Sequence, residues 1–308
     1  MKNGFPCMVF IAFLSLATGC SNKKSTRIDL TTYAREIESW DQRRLEGLRG
    51  RDGWLNLAGL FWLNEGTNTF GADPSNNIVF PGESTPRFIG CFILDSGLVI
   101  MKANKGMNTR YQGQPVENIL METGSNPVTI RLNNLEWFVI QRGDRYAIRL
   151  RDLSHPNIDK LRAIERYPAD PSWRITARFI SYDQPVTMKI PTVIGTIEEA
   201  VCHGYLEFRY GGRKHRLLPT GDSGKLFLVF ADVTSGDETY GGGRFLQPET
   251  LADGSVIIDF NKAYNPPCAF TPYATCPMPT RENVLPFPVT AGEKNVHLYH
   301  HEPVGKDE

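Results

Sequence analysis

Hydrophobic and polar positions follow three successive patterns along the chain. The first is a short apolar run from Phe5 to Ala17. The second covers Thr31–Leu48, where apolar residues recur at helical spacing among charged ones, and it predicts an amphipathic helix that stops before Gly50. From Trp54 onward, short apolar runs alternate with Gly, Asn and Pro, a pattern typical of β-rich chains.

The β pattern divides into strands joined by short turns. Three turns, Asp95–Gly97, Gly143–Asp144 and Gly211–Gly212, predict hairpins, because glycine supplies the positive φ angles of tight primed turns. The strands expected along the chain are 78–80, 88–94, 98–102, 128–132, 136–142, 145–151, 173–180, 185–190, 204–210, 213–218, 226–230 and 255–260. The predicted fold class is mainly β, a barrel or packed antiparallel sheets, with one N-terminal helix.

The same patterns predict how the chain is divided. Residues 1–19 are interpreted as a signal peptide and residues 20–30 as a polar tether. A helix followed by a β region is expected over 31–152, and a second β region over 173–294. The proline-containing stretch between them, 153–172, has little periodicity and is interpreted as a connector.

The N-terminus predicts export and lipidation. A positive charge at Lys2, a short apolar run and small residues before Cys20 are the parts of a secretory signal. The apolar run is well short of the roughly 20 residues that a spanning helix needs. Gly19 directly before Cys20 is typical of a lipoprotein signal, in which the cysteine becomes the acylated first residue. We therefore expect a lipid-anchored cell-envelope protein, and the basic pair Lys23–Lys24 favours the periplasmic side of the membrane.

The composition of the chain limits the kinds of partner that we expect it to bind. The chain has 34 basic and 34 acidic residues and no basic stripe, so nucleic acid is not an expected partner. The glycine-rich Gly241–Arg244 stretch lacks the Gly-Lys-Ser/Thr sequence of a phosphate loop, and no cofactor is predicted. The expected partners are the bilayer, through acylated Cys20, and a small-molecule ligand.

Three segments share an unusual concentration of Gly, aromatic and polar residues. They are Arg51–Leu55 with Gly59–Leu63, Asp237–Phe245, and Asp259–Pro277. Together they resemble the domain-of-unknown-function 1684 family, over roughly residues 51–294. The resemblance brings no settled activity with it. It implies membership of the family's fold and marks polar residues that the family tends to keep.

The Asp259–Pro277 segment is the main candidate site. A loop carrying Asp, Asn and Tyr on a rigid sheet often holds binding or catalytic groups. Arg244 is able to bind a carboxylate or phosphate through two hydrogen bonds. The alternative is structural: asparagines that cap turns, tyrosines that pack, and Arg244 paired with an acidic side chain. The candidate ligand-binding residues are Tyr240, Arg244, Asp259, Asn261, Tyr264, Asn265 and Tyr273.

The four cysteines left after export and lipidation are Cys91, Cys202, Cys268 and Cys276. An oxidising compartment permits disulfides, and only Cys268 and Cys276 are close in sequence, so they are the candidate pair. Their separation does not fit the usual zinc motifs, and no metal is predicted. A nucleophilic Cys268 thiolate is the other interpretation, which the oxidising location and neighbouring Cys276 disfavour.

Two functions of different class follow from these patterns. We favour a periplasm-facing lipoprotein that binds a small or envelope-derived molecule, because no nucleophile, metal or cofactor motif is recognisable. The alternative is a hydrolase-like enzyme with a site around Arg244, Asp259 and Asn265, where polar residues concentrate beside two prolines.

Overall fold

The structure is a computed structural model that describes residues 1, 29–221, 224–296 and 298. The predicted signal peptide with Cys20 and most of the tether lie outside these residues. Helix α1 spans Leu30–Arg49, one residue beyond the predicted helix at each end. Its N-cap is Asp29, whose carboxylate accepts the backbone N–H groups of Thr31 and Thr32.

In the described residues, eighteen strands follow α1, with a four-residue helix α2 at Asn157–Lys160. In chain order the strands are β1 Leu57–Trp62, β2 Gly66–Gly71, β3 Ile78–Val79, β4 Gly90–Asp95, β5 Leu98–Ala103, β6 Arg110–Tyr111, β7 Gln114–Pro115, β8 Asn118–Leu120, β9 Ile130–Leu132, β10 Leu135–Arg142, β11 Arg145–Asp152, β12 Arg174–Pro191, β13 Ile197–Tyr210, β14 Arg213–Leu217, β15 Leu228–Phe230, β16 Arg244–Leu246, β17 Glu249–Thr250 and β18 Ser255–Asp259. Short 3₁₀ turns occupy Pro171–Trp173, Phe260–Lys262, Pro267–Ala269 and Arg281–Asn283.

The first eleven strands form two sheets that pack face to face. One has the order β1-β11-β10-β9-β6-β7 and the other β3-β2-β4-β5-β8. Their inner faces share one apolar core, in which the Phe70 ring lies edge-on to Trp137 with centroids 5.6 Å apart. The other face of the six-stranded sheet points away from this core, and we call it the outer face.

The later strands build a second core. A five-stranded sheet of order β14-β13-β12-β18-β17 packs with the β15–β16 pair around Phe230, Leu246 and Phe260. In the part of the chain that the structure describes, every sheet stays open. The mainly β class is therefore confirmed, and packed sheets are found rather than a closed barrel.

The three predicted hairpins are present as β4–β5, β10–β11 and β13–β14. Ser96 and Gly97 both have positive φ, as do Gly211 and Gly212, which is the requirement of a type I′ turn. The prediction of separate strands at 173–180 and 185–190 is wrong, because both belong to β12, whose register with β13 shifts between Ser181 and Val186.

None of the helices in the described part of the chain has the length and apolar character needed to cross a bilayer.

Candidate functional site

Arg244 is fully buried and already paired. Its Nη2 lies 2.8 Å from Asp232 Oδ2 and donates to the backbone oxygen of Val289 at 2.9 Å, while Nη1 donates to the backbone oxygen of Ala291. Asp232 Oδ1 in turn accepts the N–H of Val289 at 3.1 Å. The pair therefore fastens the 289–293 segment against β16, with Asp232 as the acidic partner.

Asp259 and Asn261 lie in a second buried network, below α1. The Tyr33 hydroxyl donates to Asp259 Oδ1 at 2.7 Å and accepts from Asn261 Nδ2 at 2.9 Å. Burial, followed by the hydrogen bond to Asp259, raises the pKa of Tyr33, so the hydroxyl stays protonated as a donor. These bonds tie the first turn of α1 to the end of β18.

Tyr264 and Asn265 surround the buried carboxylate of Glu293. The Asn265 N–H donates to Glu293 Oε2 at 2.7 Å, and Arg44 Nε lies 3.2 Å from Oε1. The Arg44 guanidinium also covers the Tyr264 ring at 4.7 Å. Burial raises the pKa of Glu293, although Arg44 opposes the shift. Asn265 Oδ1 is buried without a hydrogen-bond partner in the described chain.

Tyr240 and Tyr273 are half-buried. Tyr240 packs against the cluster that contains Cys268 and Cys276, and burial raises the pKa of its hydroxyl. The Tyr273 N–H donates to Thr271 Oγ1 at 3.3 Å. The structure thus spreads the seven sequence candidates over several internal networks, and their role in ligand binding stays a prediction.

Cys268 and Cys276 meet in a buried apolar cluster. Each backbone N–H donates to the other sulfur, at 3.1 Å from Cys268 N to Cys276 Sγ and at 3.3 Å in the reverse direction. Both are thiols in the structure. The hydrogen bond between the thiols lowers the pKa of Cys268, and burial raises that of Cys276. Their proximity agrees with the predicted pairing, and the disulfide itself stays a prediction.

The outer face carries a polar cleft that the sequence did not single out. Two neighbouring hollows of about 650 and 730 Å³ share Asn126, Pro127, Thr129 and Glu136 in their walls. The cleft lies between the outer face and the loop at 123–127. Its charged lining consists of six arginines and two carboxylates. They are Arg51, Arg110, Arg131, Arg142, Arg149 and Arg151, with Asp52 and Glu136. We call it the arginine cleft.

Three of these arginines donate hydrogen bonds to side chains. The Nε and Nη2 atoms of Arg51 hold the two carboxylate oxygens of Glu136, which is only 2% exposed. Arg151 Nη1 donates to Asn56 Oδ1 at 2.8 Å. Arg142 Nε donates to Thr275 Oγ1 at 2.8 Å and lies 3.4 Å from Glu198 Oε1.

Arg149 has no such partner. It lines the cleft yet is only 5% exposed, and its Nε and Nη2 atoms are buried without a hydrogen-bond partner in the described residues. The Trp54 ring lies 5.6 Å from the guanidinium carbon. Burial, followed by the charges of Arg142 and Arg151, lowers the pKa of Arg149 to about 10. Burying a charged fork without partners is costly, and such groups concentrate at functional sites.

The sequence contained a signal for this site, although a weak one. Arg149 and Arg151 alternate with the buried Ile148 and Leu150, a pattern that is typical of a strand with one solvated face. Only the packing of the sheets shows that this face is covered.

Metal binding was also considered for the described residues. No group of three or more His, Cys, Asp or Glu side chains there is placed to hold a metal ion.

The fold and the site thus define a mainly β protein with an arginine cleft on one of its sheets. The family described as "Protein of unknown function (DUF1684)" matches residues 159–294. The predicted resemblance to this family is confirmed over these residues. The match begins at residue 159, so neither the Arg51–Leu63 motifs nor the residues that line the arginine cleft lie inside it.

Similar structures cover parts of the chain. The solution NMR structure of an uncharacterized protein from Haloarcula marismortui is 30% identical, with 46% of this chain and 80% of that chain covered and a TM-score of 0.38. An FHA domain complexed with the intracellular domain of a second protein is 19% identical, with 30% and 97% covered and a TM-score of 0.22. At these TM-scores the similarities do not define the fold. The chain matches none of the curated proteins.

Proposed function

We propose that this protein is a lipid-anchored, periplasm-facing binding protein whose arginine cleft takes up a small anionic molecule. The observation that carries the proposal is the buried guanidinium of Arg149 with its unpartnered Nε and Nη2 atoms. The proposal keeps the binding function favoured by the sequence and assigns it to a different group of residues.

The free atoms of Arg149 are those with which arginine binds carboxylates and phosphates. Nε and Nη2 form one edge of the guanidinium, and the same edge of Arg51 holds Glu136 while that of Arg87 holds Asp73. An anion with two oxygens in a plane would satisfy both free atoms of Arg149 at once. Since this edge makes no hydrogen bond to the described residues, turning it toward the cleft breaks none there.

Charge and size support the same ligand class. Six arginines face two carboxylates in the cleft, whereas the whole chain has a formal net charge of zero. A cleft lined by one sign of charge concentrates ligands of the opposite sign. Each of the two hollows, of about 650 and 730 Å³, falls within the ordinary range for small-molecule sites, roughly 300–1,000 Å³.

The experiment is isothermal titration of the detergent-solubilised mature protein with methyl phosphate and with acetate. We expect saturable binding of at least one of them that Arg149→Met abolishes. Arg216→Met is the matched control, because Arg216 is an exposed arginine of β14 outside the cleft, and it should bind as the wild type does. An Arg149→Met protein that binds methyl phosphate and acetate as tightly as the wild type does, or no binding of either anion to the wild type, would refute the proposal.

A further inference from the structure

The arginine cleft has a second cationic position at its other end. On the outer face, Arg110 of β6 lies directly opposite Arg131 of β9, and both line the cleft. Like charges directly opposite each other on neighbouring strands are destabilising. Arg110 Nη1 donates to the backbone oxygen of Gly113 at 2.8 Å, and Arg131 Nε donates to that of Asn133 at 2.9 Å. Both guanidinium groups are therefore held by neutral acceptors.

The space between the two cationic positions is electrically balanced, because two carboxylates, Glu136 and Asp52, lie there with two arginines, Arg51 and Arg151. Glu136 lies opposite Arg131 on one side and Arg151 on the other, and Arg51 occupies both of its carboxylate oxygens. The middle of the cleft also presents the neutral polar side chains of Asn126 and Thr129. This region suits an uncharged polar group better than a third anion.

The strand order sets the distance between the two positions. Arg131 on β9 and Arg149 on β11 are separated by β10, which corresponds to about 10 Å across the sheet. Arg149 lies two residues along β11 from Arg151, the residue in the same row as Arg131, which adds about 7 Å along the strand. The two Cα atoms are therefore roughly 12 Å apart, and the long side chains allow bound anions to lie about 10 Å apart.

We infer that the ligand of the arginine cleft is an elongated molecule with two anionic groups, phosphates or carboxylates, joined by a neutral spacer of about 10 Å. This inference rests on the proposed function, since one anionic group binds Arg149. The other binds between Arg110 and Arg131 and relieves their mutual repulsion. Two anions on one spacer bind more tightly than either alone, because the second binding step becomes intramolecular.

The test compares ligands of different length on the detergent-solubilised mature protein. The probes are methyl phosphate and the bisphosphates of propane-1,3-diol, hexane-1,6-diol and decane-1,10-diol, titrated by calorimetry at one ionic strength. We expect the hexanediol compound to bind best, at least about tenfold tighter than methyl phosphate, because its phosphates come closest to the required separation. The propanediol compound is too short to reach both positions.

Variants separate this inference from the proposed function. Arg131→Gln should bring the affinity for the hexanediol bisphosphate down to that for methyl phosphate, whereas Arg149→Met should weaken the binding of both. Circular dichroism and thermal unfolding check that each variant is folded. If Arg149→Met abolishes methyl phosphate binding but chain length and Arg131→Gln have no effect, the two-anion inference is wrong and the proposed function stands. If Arg149→Met leaves methyl phosphate binding intact, the proposed function is wrong as well.

Discussion

Two arginines of this protein are buried in opposite ways. Arg244 is enclosed by an acidic partner and backbone oxygens, whereas the Nε and Nη2 atoms of Arg149 have no partner in the described residues. A buried pair that loses one member leaves an uncompensated charge, but a buried charge without a partner is itself a cost to folding. The two side chains should therefore respond differently to the same substitution.

We predict that Arg244→Met lowers the free energy of unfolding by about 3–5 kcal/mol, because Asp232 is left buried without its cation. Arg149→Met should leave it unchanged or raise it by about 1 kcal/mol while abolishing anion binding, the trade-off expected of a binding residue. Urea unfolding of both variants measures the difference. An Arg149→Met protein as unstable as Arg244→Met would show that Arg149 supports the fold.

Glu293 gives a prediction about pH. Burial raises the pKa of this carboxyl above its usual 4.5, so the folded protein binds the proton more tightly than the unfolded chain. Its contribution to stability is therefore greatest at low pH and is lost as the pH rises from about 4.5 through the raised value. Glu293→Gln, which stays neutral, should have a flatter dependence of unfolding free energy on pH between 4.5 and 8.

Urea unfolding at a series of pH values measures this dependence. Glu46→Gln is the control, since Glu46 is an exposed residue of α1, and its profile should follow that of the wild type. Equal slopes for Glu293→Gln and the wild type would mean that the buried carboxyl does not titrate in this range.

At the scale of the elements, local signals explain what was predictable. Helix α1 was predictable from the spacing of apolar residues among charged ones. The three hairpins were predictable from the turn residues between their strands. Strand β2, by contrast, was missed, because its Gly and Asn residues are poor strand indicators. Its buried Asn68 is satisfied by the backbone oxygens of Asn64 and Gly66, a contact that hydrophobic patterning does not detect.

The arginine cleft was not predicted from the sequence, for a related reason. The polar residues of Asp259–Pro277 are conspicuous in the sequence, yet several serve networks whose partners, Tyr33 on α1 and Glu293 near the C-terminal end, are distant in sequence. The row Arg110, Arg131, Glu136 and Arg151 forms only when four strands come together. Sequence spacing alone does not reveal such a row.

Gly243, in the glycine-rich turn before β16, carries an element-scale prediction. Its φ is +82°, and a Cβ there would lie 2.5 Å from Pro279 Cγ and 2.6 Å from the Phe230 backbone oxygen. Gly243→Ala should therefore lower the free energy of unfolding by about 2–3 kcal/mol. Gly254→Ala is the control: φ is +79°, but nothing lies within 4 Å of the added Cβ, so only strain of about 1 kcal/mol is expected. Thermal or urea unfolding of both variants separates the effect of the clash from that of the backbone strain. Equal losses of unfolding free energy would contradict the close approach of the added Cβ to Pro279 and Phe230.

At the scale of the whole molecule, the arginine cleft is braced by the later part of the chain. Arg142 on β10 donates to Thr275 and pairs with Glu198 of β13, so one cleft residue connects the six-stranded sheet with two later segments. The residues that line the cleft precede residue 159, whereas the family match begins there. Anion binding would then be a property of the N-terminal half, supported by the family-matched half.

The last prediction at this scale is that a lipid on Cys20 holds the protein on a membrane. If Cys20 is the acylated residue, Cys20→Ala should abolish incorporation of radiolabelled palmitate and move the protein out of the membrane fraction. Acyl chains contribute about 0.8 kcal/mol per buried CH₂, and the described residues do not contain a spanning helix to replace them. Cys7→Ala is the matched control, because Cys7 lies in the predicted signal peptide upstream of Cys20, and its product should stay labelled and membrane-bound. A Cys20→Ala protein that still sediments with membranes and carries palmitate would contradict the anchor, and the cleft's ligand would then be sought without reference to a membrane surface.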